Sequence, residues 1–155
     1  MQGVSSHRFV PNGTMTRAMF ATVLYRMAGE PEVLGVSHFP DVPGAQWYTN
    51  GVVWAADQGL MAGYGSGRFG PGDPVTREQL VTILWRWTGK PDAGSGTLSG
   101  FTDADQIHDW AKTAFAWAVS REVIRGKGSG VLAPRGSGTR AEAASMLMGF
   151  AEAEP

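Results

Sequence analysis

No cysteine occurs among the 155 residues, which excludes disulfides and thiolate metal sites but leaves a reducing cytosol and a cysteine-free surface protein equally compatible. An excess of charge of either sign is also missing. With 13 basic residues against 14 acidic, the net charge is −1, so no general field draws in nucleic acid or an acidic membrane, and charge-based recognition must be local. No stretch approaches the ~18 apolar residues of a membrane span, and the opening MQGVSSHRFV has no apolar signal region. Membrane insertion is therefore not expected, and a secreted parent would carry its leader elsewhere. His7, His38 and His108 lie far apart without paired spacing, so no metal site is expected. No nucleophile elbow or glycosidase carboxylate pair is recognisable, and no cofactor fingerprint stands out, which points away from an enzyme.

What the chain does have is repetition. MQGVSSHRFVPNGTMTRAMFATVLYRMAGEP at 1–31 matches MAGYGSGRFGPGDPVTREQLVTILWRWTGKP at 61–91 without a gap. A third copy, IRGKGSGVLAPRGSGTRAEAASMLMGFA, occupies 124–151. Upstream, FPDVPGAQWYTNGVVWAADQGLMAG at 39–63 answers FTDADQIHDWAKTAFAWAVSREVIRG at 101–126 with one inserted residue. One unit thus runs F-x-D, a segment with two tryptophans, a G-x-G-x-G turn region, a proline, then T-R and an apolar-periodic stretch. Met1 aligns with Met61, so the chain is expected to open mid-unit, giving a second-half repeat at 1–30 and full repeats at 31–90 and 91–155. Proline- and glycine-bearing joins separate them.

Each full unit reads as two helices. Leu80, Ile83, Leu84 and Trp87 follow helical spacing, as do Phe20, Val23, Leu24 and Met27, and Ala143, Met146, Leu147 and Phe150. Thr76 with Gln79 and Thr139 with Glu142 have capping-box spacing, whereas Thr16 has Met19; Gly29 and Gly89 supply stop signals. A front helix is expected over roughly 45–59, burying Tyr48, Val52, Ala55 and Ala56, and its copy buries Ala111, Ala114, Phe115 and Ala118. GYGSGRFGPGDP between the helices reads as a structured loop. The expected class is all-α with pseudo-threefold symmetry.

With F-x-D, the tryptophan helix, G-x-G-x-G-x-F-x-P and T-R-x-E/Q recurring in order, the sequence resembles the S-layer homology domain family across about residues 1–151. TRAE at 139–142 matches that family's hallmark, and TREQ at 76–79 and TRAM at 16–19 are variants. The first unit lacks F-x-D, and Leu132 and Ala133 replace an aromatic residue and its neighbour in the third. The resemblance implies a spindle of three helix-loop-helix repeats around a central three-helix bundle. It also implies an extracellular module that holds bacterial surface proteins non-covalently on a secondary cell-wall polysaccharide, often pyruvylated. The alternative is a structural or protein-interaction module that binds no glycan.

Arg77 poses a local problem, since a cation on the first residue of a helix meets the positive end of the dipole at a cost of roughly 0.3–1 kcal/mol. Arg17 and Arg140 occupy the same slot. Two readings are open: the guanidinium and outward backbone N–H groups receive a ligand carboxylate, or the arginine pairs with an acid such as Asp41 or Asp103. Asp41 and Asp103 read either as helix caps or as acceptors for sugar hydroxyls. Trp47 and Trp110 are groove walls for a pyranose or core residues, while Trp54, Trp87 and Trp117 are expected in the core, and Trp85 on a surface or against a neighbouring unit. Gly63, Gly65, Gly126 and Gly128 let the backbone turn and approach a ligand; no G-K-[ST] follows, so a nucleotide site is not expected. Arg125 and Lys127 add charge to a groove or are simply solvated. Self-association through the incomplete first repeat is a further expectation.

Overall fold

The computed structural model describes residues 9–94 and 97–153. Five helices account for its regular structure: α1 (Arg17–Met27), α2 (Thr49–Asp57), α3 (Arg77–Trp87), α4 (Asp109–Ser120) and α5 (Arg140–Ala153), with a short 3-10 turn at Ala104–Gln106. Among the described residues there is no β-strand, only isolated bridges such as Thr16 to Pro74 and Thr76 to Ser137. The protein is all-α. Two compact units are present, one of Met15–Val75 and one made by the described residues of Gln2–Thr14 and Thr76–Pro155.

In the first unit, α1 packs on α2. Phe20 and Leu24 of α1 and Val52 and Ala55 of α2 are fully buried, as the helical spacing requires, each large side chain contributing about 1.5–3 kcal/mol. The helices approach so closely that a Cβ on Gly51 would lie 2.9 Å from the Thr22 backbone. Thr16 accepts from the Met19 N–H, and Gly29 ends α1 with φ +85°. There the N–H groups of Gly29 and Glu30 donate to Arg26 and Tyr25 carbonyls, a glycine-terminated stop.

The front helix is shorter than the expected 45–59. Ala45 adopts φ +61°, and the Thr49 hydroxyl accepts from the Gln46 N–H and donates to the Pro43 carbonyl, closing a turn where a helix was expected. Tyr48 and Ala56 are only half-buried, and Gly51 and Val53 join Val52 and Ala55 on the inner face.

In the second unit α3 packs on α4 and α5. Ala111, Ala114, Phe115 and Ala118 are all buried, as are Leu80, Ile83 and Leu84 opposite them. Thr76 and Gln79 form both bonds of the capping box, and Thr139 and Glu142 do the same. Trp117 is in the core as expected. Trp54 and Trp87 are not: each is half-buried, tilted against Tyr25 and Phe150 respectively with ring centroids 6.0 Å apart, because both lie at the edge of their helix stripe. Trp85 donates its indole N–H to the Pro91 carbonyl, tying the end of α3 to the join that follows.

Candidate functional site: a cleft beside Arg77

At the starts of α1, α3 and α5 the first two backbone N–H groups are already used. Arg77 and Glu78 donate theirs to the Gly136 and Pro134 carbonyls, Arg17 and Ala18 to Asp73 and Pro71, and Arg140 and Ala141 to Gly13 and Pro11. The glycine-proline loop carbonyls thus accept the N–H groups that one of the two open readings leaves for an external acid group. Each arginine extends the same contact. Arg17 Nε donates to the Phe69 carbonyl at 2.8 Å and Nη2 to Ala62 at 2.6 Å; Arg77 Nε donates to Leu132 at 2.7 Å; Arg140 Nε donates to Phe9 at 3.0 Å. These bonds offset the dipole penalty of a cation at a helix start.

The aspartates complete the arrangement from the other side. Neither caps α2 or α4. Asp41 accepts the Phe69 and Gly70 N–H groups, both at 2.8 Å, and Asp103 accepts those of Leu132 and Ala133 at 2.9 and 2.7 Å. One loop residue, Phe69 or Leu132, therefore donates to an aspartate and accepts from an arginine. Burial alone would raise the Asp41 carboxyl, but the Phe69 and Gly70 N–H groups and Arg68 outweigh it and hold it below the usual range. Burial lowers Arg77, and Glu142 and Asp103 partly restore it.

The arginines differ in what lies over them. The Arg17 guanidinium is sandwiched by Tyr64 and Phe69, at 4.8 and 4.6 Å from the ring centroids, and Arg140 sits 4.8 Å from the Phe9 ring. At the position matching Tyr64 the second unit has Lys127, and there the space is open. A cleft of about 510 Å³ runs beside Arg77, with Arg125, Gly126 and Lys127 and the carboxylates of Glu122, Glu142 and Glu152 among its walls. Arg77 is only 3% exposed, yet it borders this cleft. Its Nη1 lies 3.5 Å from Glu142 Oε1, and Lys127 Nζ lies 2.8 Å from the same oxygen. Burial would raise the Glu142 carboxyl, but Lys127, the Thr139 N–H and Arg77 together keep it low, so it is ionised at neutral pH.

Of the residues singled out in the sequence, the cleft gathers Arg77 and Gly126. Asp103 reaches it indirectly, through Leu132. Gly128, at φ +95°, turns the loop that carries Lys127. Gly63 is held by packing: a Cβ there would lie 2.6 Å from the Phe39 ring. Gly65 faces open space, with nothing within 4 Å of such a Cβ. Trp47 and Trp110 are exposed, at 62% and 51%, and neither borders the Arg77 cleft. Lys127, which the sequence leaves either adding charge to a groove or solvated, borders the cleft, as does Arg125; Glu142 reads from the sequence only as a capping-box residue, and its place in the cleft is seen only in the structure. Among the described residues no group of three or more His, Cys, Asp or Glu side chains is placed to hold a metal.

Two segments, 38–81 and 100–144, match the model of the S-layer homology domain. The chain belongs to this family. Among relatives, it is 33% identical over 156 residues to Exoglucanase XynX of Acetivibrio thermocellus, covering 98% of this chain and 14% of that protein. It is 31% identical to Amylopullulanase of Thermoanaerobacterium thermosulfurigenes, over 98% of the chain and 8% of the relative. With the Surface-layer 125 kDa protein of Lysinibacillus sphaericus it shares 33% identity over 130 residues, 81% of the chain and 10% of the relative. The chain thus matches only a small part of each of these proteins, two of them named as enzymes and one for a surface layer.

Proposed function

We propose that this S-layer homology chain is a non-catalytic anchor that holds a surface protein on the bacterial cell wall by binding an anionic polysaccharide, for which a pyruvylated secondary wall polymer is the fitting class. Family membership and likeness to surface-layer proteins support the anchoring role. The observation that carries the anionic ligand is the Arg77 cleft, where a guanidinium and the Lys127 ammonium converge on one carboxylate oxygen of Glu142. That geometry receives a carboxylate, and an incoming sugar acid would share or displace Glu142. Arg17 and Arg140, each against an aromatic ring, are weaker candidates for the same role. On this reading the module works outside the cell.

The rival reading is a structural or protein-interaction module, and the bonds from the three arginines to loop carbonyls favour it for Arg17. Lys127 separates the two, being exposed, with its ammonium paired to Glu142. Co-sedimentation with wall sacculi, before and after the secondary polymer is stripped, is the direct test. Pelleting is expected only before stripping, and Lys127→Ala should lose it while its circular dichroism stays unchanged. Equal pelleting with stripped walls would end the anchor reading.

A further inference from the structure

Leu34 and Val36, in the join between α1 and α2, are 89% and 80% exposed, which water disfavours for two apolar side chains so close together. The join itself does not require them, since after α3 the position matching Leu34 is Gly94. Nor is the segment loose at its ends. The Pro31 carbonyl accepts the Tyr25 hydroxyl at 2.9 Å, and Ser37 Oγ accepts the Phe39 N–H at 3.1 Å. The chain bends at Gly35, where a Cβ would lie 3.8 Å from Val53 Cγ1, so the bend rests on α2. Leu34 and Val36 thus flank the apex of a held elbow, and ordering it costs a partner little.

The sequence of this elbow is complementary to its own reverse. Glu32, Leu34, Val36 and His38 are exposed, whereas Pro31, Val33 and Ser37 between them are half-buried. Two copies related by a two-fold axis through Gly35 place Leu34 of one against Val36 of the other, and Glu32 against His38, each contact occurring twice. A parallel arrangement would set Glu32 on Glu32 and His38 on His38, which repels. Among the described residues no backbone N–H or C=O of 32–36 has a hydrogen-bond partner, so these groups are also free to pair with a second chain.

We propose that the 32–38 elbow is a dimerisation surface whose occupant is the same elbow of a second copy of this chain, in antiparallel register about Gly35. Leu34 and Val36 form the apolar centre, and the Glu32 and His38 pairs at the rim fix the register. The surface shares no residue with the Arg77 cleft and does not depend on the anionic-ligand reading.

The test is sedimentation equilibrium of the whole chain from about 10 µM to about 1 mM, the range in which so small a contact dimerises. A reversible monomer–dimer equilibrium is expected. Leu34→Asp should weaken it about tenfold or more, and Glu32→Lys or His38→Glu about threefold each, while the double variant Glu32→Lys with His38→Glu, which exchanges the charges across the axis, returns it to within about twofold of the parent. All these positions are exposed, and unchanged circular dichroism checks that the fold is kept. Gly35→Cys gives an independent reading. The chain has no other cysteine and Gly35 needs no left-handed backbone, so mild oxidation should link two copies at the axis, and Leu34→Asp should suppress that link. Lys127→Ala should dimerise as the parent does. A chain that stays monomeric up to about 1 mM, equal dimerisation by Leu34→Asp, or a charge exchange that fails to restore the parent's behaviour would overturn the assignment.

Discussion

Glu142 has two duties at once. Its Oε2 accepts the Thr139 N–H and completes a capping box, while its Oε1 faces Arg77 and Lys127 across the cleft. Only the second duty needs a negative charge, because Gln79 closes the equivalent box on α3 with a neutral amide. Glu142→Gln should therefore keep α5 capped and remove the internal competitor for the two cations. Binding of an anionic wall polymer is expected to tighten by about threefold or more, as read by calorimetry; weaker binding would mean that Glu142 itself contacts the ligand. Asp41 allows a second prediction. Its folded pKa is depressed, so its ionised form adds stability that is present above the ordinary aspartate value and is lost as pH falls through the folded one. The stability gap between the parent protein and Asp41→Asn should be constant near neutrality and shrink below about pH 4 in urea unfolding. A gap independent of pH would show that ionisation of Asp41 contributes nothing.

At the scale of elements, the glycine-proline loop is the joint on which each unit turns. It accepts the first N–H groups of a helix, accepts the arginine from that helix, and donates two N–H groups to an aspartate before the next one. Removing the aspartate leaves the Leu132 and Ala133 N–H groups without their acceptor. Asp103 is buried, and Asp103→Ala should lower stability by about 2–4 kcal/mol, measured by urea denaturation. The damage should spread to the Arg77 cleft, since Leu132 links Asp103 to Arg77 and the same loop carries Lys127. Leu132 in place of an aromatic residue costs this joint little, because it is fully buried as Phe69 is in the other unit.

For the molecule as a whole, a net charge of −1 means that the proposed recognition of an anionic polymer has no favourable long-range background and must act at short range. Raising NaCl from about 50 to about 500 mM should weaken polymer binding by roughly tenfold or less, because Arg77 at the cleft is buried and poorly screened, whereas the exposed Lys127 is not. A collapse of a hundredfold or more would point to diffuse surface charge instead. The sequence alone determined the repeats, the all-α class, the three T-R helix starts and the buried faces of Phe20, Leu80 and Phe115, because helical periodicity, capping and glycine stops act between residues close in the chain. It located Arg77 and Asp103 but not their partners. Leu132, Lys127 and Glu142 come to Arg77 from 50 to 65 residues away, and a hydrogen bond across that separation leaves no period in the sequence. Tertiary structure also decided that Trp47 does not border the Arg77 cleft, and that Tyr64 covers one arginine while Lys127 leaves another beside open space. Side-chain volume and direction at the loop settle such matters, and these act only once the helices have brought the loop to its place.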